Sequence, residues 1–160
     1  MLSSNIAFAA KETNDVIPSE RVNSLRALGL QVSIDDFGTG FSSLSTLRLL
    51  EFAQLKVDRQ FVHNISKSNQ LAELFSFIQN IASLFSVNLM CEGMEDEEDI
   101  EILISKGCRY MQGWYFSKAI PGYKVAKLLK NIDIISGSNN TSDYRQLADN
   151  IRKVCDTGAL

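Results

Sequence analysis

The chain has 160 residues, 45% hydrophobic and 22% charged, with a formal net charge of -3. That is the composition of one ordinary globular domain, and its mild acidity argues against a nucleic-acid partner. No run of about 18 apolar residues occurs and the first residues lack a basic, apolar leader, so neither a membrane span nor a signal peptide is expected.

In chain order, short apolar runs alternate with helical periodicity. Residues 6–10 predict a strand. Residues 19–28 predict a helix, with Pro18 before it and Gly29 after it. Residues 30–35 predict a strand, 43–50 a helix and 53–58 a strand. A long helix is expected over 70–86, where apolar residues recur at 71, 74, 75, 78, 81, 82 and 85. Residues 87–91 predict a strand and 97–105 a helix opened by Asp96, Glu97 and Glu98, which suit a helix N-terminus. Residues 110–112 predict a strand and 123–130 a last helix. The segment 136–141 (Ser-Gly-Ser-Asn-Asn-Thr) reads as a linker, and Tyr144, Leu147, Ile151 and Val154 give the tail helical spacing. Strand-helix alternation with short links implies an α/β fold of parallel strands. The division expected is 1–130 for the folded unit and 131–160 for linker and helical tail.

The polar residues gather at strand ends. Asp35 and Asp36 close one apolar run and lead straight into Phe37-Gly38-Thr39-Gly40. Lys56 and Asp58, then Glu92 and Glu95, then Gln112 close the next ones. In a barrel such ends converge on one face, where active sites are built; in an open doubly wound sheet they lie along one edge. Acids with a lysine and a glutamine suit oxygen-ligated Mg²⁺ or Mn²⁺ and phosphoryl chemistry. With His63 the only histidine, a multi-histidine metal site is excluded, and His63 reads as a surface residue. Cys91, Cys108 and Cys155 form no CxxC pair; the first two read as buried, reduced residues of a cytoplasmic protein. Plain structural readings stand beside these. Asp36 also suits a helix cap, Lys56 and Asp58 an ordinary ion pair, Glu95 an acidic cap, and Gln112 a bond to backbone.

Four segments together resemble the EAL-domain family, the phosphodiesterases that hydrolyse cyclic di-GMP. They are Asp35-Asp36-Phe37-Gly38-Thr39-Gly40-Phe41-Ser42-Ser43-Leu44, Leu55-Lys56-Val57-Asp58-Arg59-Gln60-Phe61-Val62, Cys91-Glu92-Gly93-Met94-Glu95 and Met111-Gln112-Gly113-Trp114-Tyr115-Phe116-Ser117-Lys118. The leader Leu25-Arg26-Ala27-Leu28-Gly29-Leu30 fits as well. The resemblance implies a TIM-like (β/α) barrel, two Mg²⁺ or Mn²⁺ ions, cyclic di-GMP as substrate and linear pGpG as product. It implies Asp35 and Asp36 as metal ligands, and Lys56 and Asp58 as groups that position or activate water. Glu92 would be a further acid at the metal centre and Glu95 a support for the loop that starts at Asp35. Gln112 and Gly113 would form the substrate-binding floor.

The pattern is partial. The Glu-Ala-Leu motif that names the family does not occur, nor does the family's metal-ligand asparagine on the following strand. The nearest segment to the family's Glu-x-Thr-Glu strand end is 9–12, where Ala9 replaces the first glutamate and Glu12 matches the second. A full barrel takes roughly 250 residues. The expectation is therefore a truncated EAL domain, an incomplete barrel with an appended C-terminal helix. It is expected to be inactive as an isolated chain, and to expose a sheet edge that a homodimer or a partner protein covers. The alternative is a non-catalytic EAL-like regulator that binds cyclic di-GMP or another protein.

Overall fold

The computed structural model describes residues 5–8, 19–38, 47–48, 51–122, 124–125, 144–145, 148–149 and 151–152. The expected segments 9–12, 39–46 and 131–143 lie outside the described residues, as does Cys155.

The elements follow the predicted order. Strand β1 (Asn5–Phe8) is followed by α1 (Ser19–Ala27), β2 (Gln31–Phe37) and β3 (Gln54–Val57). Then come α2 (Asn69–Leu84), β4 (Asn88–Cys91), α3 (Glu97–Ser105) and β5 (Tyr110–Met111). Each of these matches an expected element, with ends displaced by a residue or two; of the expected helices 43–50 and 123–130, residues 47–48 and 124–125 are described and are helical. Ser68 explains the start of α2, because its hydroxyl accepts the Leu71 N–H. Gly29 and Gly107, at φ +83° and +86°, supply the left-handed turns that end α1 and α3.

All strands run parallel in the order β1-β2-β3-β4-β5. Sequential order without reversal is the progression of a barrel wall, and among the described residues the sheet does not close. It is an incomplete barrel, with β1 and β5 as its edges. Alternation sorts the side chains. Leu55, Val57, Leu89 and Cys91 are buried on the helix side with Phe75 and Ile78 of α2 and Ile100 and Leu103 of α3. Burial of this kind contributes roughly 1.5–3 kcal/mol per large side chain and is the main source of stability. The alternate positions, Asp35, Lys56 and Glu92, face the other side, at the strand ends.

The tail is joined to this core. Residues 144–145, 148–149 and 151–152 are helical, and Ala148 is fully buried. Arg145 pairs with Glu97 and Glu101 on α3, and Arg152 donates to the Tyr115 carbonyl at 3.1 Å. The helical spacing read from Tyr144 and Ile151 thus packs on the domain itself.

Candidate active site

The two adjacent aspartates pose a problem for a strand, since neighbours on a regular strand point to opposite faces. The structure resolves it with a β-bulge. Ile34 pairs with Leu55 and Phe37 with Val57, so Asp35 and Asp36 together oppose the single residue Lys56. Asp36 takes the left-handed backbone, φ +52°, which aspartate tolerates better than most residues. One extra residue thereby turns both carboxylates to one side.

Glu92 meets them there. It follows β4 directly, and its N–H donates to the Val57 carbonyl at 3.1 Å. One carboxylate oxygen each from Asp35, Asp36 and Glu92 lies within 4.8 Å of the others. Lys56 sits between two of the acids, with Nζ 2.9 Å from Asp35 Oδ1 and 2.5 Å from Glu92 Oε1. Partial burial pulls its ammonium down, but the hydrogen bonds to Glu92 and Asp35 outweigh that and hold it above the ordinary lysine value. Lys56 is therefore a fixed cation. The three converging carboxylates make a donor set wholly of oxygen. That fits a hard divalent cation such as Mg²⁺ or Mn²⁺.

Gln112 completes the cluster, its Nε2 donating to Glu92 Oε1 at 2.7 Å. Its backbone is pinned on both sides: Gln112 N–H donates to the Cys91 carbonyl and the Gln112 carbonyl accepts from Met94 N–H. Gly113 makes that crossing feasible. A Cβ there would stand 2.1 Å from the Met94 nitrogen, so the position admits no side chain. Trp114 follows, exposed, with Lys118 Nζ 5.3 Å from the centre of its ring.

Other predicted residues lie elsewhere. Asp58 caps a 3-10 turn over Arg59–Phe61, accepting the Gln60 N–H at 2.9 Å, and is not among the three converging acids. Glu95 pairs with Arg59 at 2.5 Å. The Lys56 to Asp58 ion pair considered from sequence does not form; Lys56 chooses Asp35 and Glu92.

A second acidic group went unnoticed in the sequence. His63 Nδ1 lies 3.6 Å from Asp96 Oδ2 and 4.0 Å from Asp99 Oδ2. Asp99 has a nearly buried side chain, 5% exposed, and accepts from Asn64 N–H, Ser66 N–H and the Ser66 hydroxyl. Burial alone would raise its pKa; the bonds from Ser66 and Asn64, with His63 nearby, hold it below the ordinary 3.8. The available signal was Asp99 itself, an acid in the first turn of α3 on the same side as Ile100 and Leu103. Arg59 was also missed; its partner Glu95 is too distant in sequence for any helical or strand period to pair them.

Among the described residues no helix is long and apolar enough to cross a membrane. The chain is 40% identical over 106 residues to the cyclic di-GMP phosphodiesterase NbdA of Pseudomonas aeruginosa, covering 66% of this chain and 14% of that protein. It spans only 12–16% of the first curated relatives it matches. Among solved structures, it resembles the EAL domain of Mycobacterium smegmatis DcpA with a TM-score of 0.71 at 32% identity, covering 79% of this chain and 56% of that one. It also resembles the manganese and cyclic di-GMP complex of Klebsiella pneumoniae BlrP1, TM-score 0.58 at 31% identity, over 62% of this chain and 25% of that one. The EAL domain model itself matches residues 3–119, which carry both the bulged aspartates and the Glu92–Gln112 pair, and on that match the chain belongs to the EAL domain family.

Proposed function

We propose that this chain carries one wall of a cyclic di-GMP phosphodiesterase site and does not turn the substrate over by itself. The observation that supports this is the convergence of Asp35, Asp36 and Glu92 within 4.8 Å, with Lys56 held between two of them. These acids would hold Mg²⁺ or Mn²⁺. When bound, the metal would supply Lewis acidity at a phosphate. Lys56 would balance negative charge at the same place, and Gln112 would keep Glu92 in orientation. On the family resemblance, Asp58 would position water and Gly113 would belong to the substrate floor.

Inactivity rests on ligand count. Each of two Mg²⁺ ions in near-octahedral geometry needs several oxygen ligands. Among the described residues, three carboxylates converge, enough to attract a cation and too few to cage two. The edges β1 and β5, unpaired among the described residues, would be covered by a second copy or by a protein that supplies further strands, in a cytoplasmic setting.

The test is direct. The purified chain is incubated with cyclic di-GMP and Mn²⁺, and pGpG is followed by chromatography while Mn²⁺ binding is followed calorimetrically. The expected result is weak Mn²⁺ binding, lost in Asp35→Asn/Glu92→Gln, with no pGpG. Metal-dependent pGpG from the chain alone would overturn the inactivity. Mn²⁺ affinity unaffected by the double substitution would overturn the site.

A further inference from the structure

Cys91 and Cys108 lie outside the acidic cluster. Cys91 is the last residue of β4, on the helix side of the sheet, with no exposed surface. Cys108 lies between α3 and β5, 7% exposed. Both are free thiols, and their sulfurs are in contact at 3.4 Å.

Two buried thiols in contact are inert unless a reagent can reach one of them. Here one is within reach. A solvent-open cavity of about 180 Å³ is lined by Cys108 together with Gly107, Gln79, Val87 and Leu89. That space is large enough for a molecule of peroxide size. The two sulfurs also differ in access: Cys108 borders the cavity, whereas Cys91 has no exposed surface, so a reagent in the cavity meets Cys108 first.

We infer that Cys91 and Cys108 are a modification site, forming an intrachain disulfide when the folded chain meets a peroxide. The Cys108 thiolate attacks one peroxide oxygen. The O–O bond breaks, hydroxide leaves, and Cys108 becomes a sulfenic acid. The Cys91 sulfur then attacks the Cys108 sulfur; the S–S bond forms and the S–O bond breaks. The Cys91 proton goes to the departing oxygen, which leaves as water. Overall, two thiols and one hydrogen peroxide give one disulfide and two waters. The bond would fasten the end of β4 to the chain that enters β5, one residue from Glu92. It does not depend on the proposed phosphodiesterase reading.

The experiment treats the folded full chain with a slight excess of hydrogen peroxide, blocks the remaining thiols by alkylation under denaturing conditions, and maps digested peptides by mass spectrometry. The expected product joins the Cys91 and Cys108 peptides, at equal yield in the wild-type chain and in Cys155→Ser. The urea-unfolded chain should instead spread its links over all three cysteines. Recovery of Cys91 and Cys108 both alkylated would overturn the inference. So would sulfinic acid at Cys108 without a link, dependence of the link on Cys155, or a folded chain no more selective than the unfolded one.

Discussion

Two acidic groups stand on the same end of this sheet, each with three potential metal ligands within 4.8 Å, and they do opposite things. Asp35 and Glu92 hold Lys56 between them, and Asp36 turns an oxygen toward the same point. Asp99 spends its oxygens on Asn64 and Ser66 N–H groups and the Ser66 hydroxyl, fastening the loop after β3 to the start of α3. The difference lies in what fills the lone pairs. The Asp99 oxygens are taken by backbone N–H groups and a hydroxyl fixed in place, whereas the other three acids converge their oxygens around a side-chain ammonium, which a metal can displace.

The sharpest way to break that distinction is Asp99→Ala. It strands two N–H groups and a hydroxyl in a part-buried place, and about 3 kcal/mol of stability should be lost in urea unfolding. Mn²⁺ binding per folded molecule should not change; a parallel loss would merge the two groups. Next in size is Lys56→Met, which removes the cation from among three carboxylates. About 1–3 kcal/mol should be lost without metal, and added Mn²⁺ should restore much of it, as it would not for Asp99→Ala. A Lys56→Met chain indifferent to Mn²⁺ would show that the cluster is structural after all.

Acid titration gives a smaller effect. The folded pKa of Asp99 is depressed, so its stabilisation is full above the unfolded value and fades as pH falls through the folded value, below 3.8. Stability measured by urea titration at successive pH values should drop in that range. Asp99→Asn should flatten this part of the drop. Smallest is Glu95→Gln. Its partner Arg59 is 45% exposed, and such pairs contribute less than about 1 kcal/mol. If Mn²⁺ affinity fell tenfold in this variant, Glu95 would belong with the metal-facing acids.

What could be read from the sequence was periodic or local. The bounds Glu97–Ser105 of α3 follow from the acids before it and Lys106-Gly107 after it, because capping and charge act within one turn. Strand ends carrying Asp35, Lys56, Glu92 and Gln112 were visible because apolar runs stop there. The contacts among them were not, since pairing across the sheet leaves no trace in spacing. Asp99 read as one more acid at a helix start; its burial comes from donors some 35 positions upstream. Asp58 looked like a partner for Lys56, and became a turn cap because the chain leaves the sheet immediately after β3.

At position 36, shape and charge are separable. The left-handed conformation admits Asn nearly as readily as Asp and strongly disfavours any β-branched residue. An Asn here keeps the odd residue in the ladder while silencing its charge; a Val would press the strand back toward regular pairing and swing the two neighbours apart. The paired acids of this chain are therefore as much a demand on torsion angle as on chemistry.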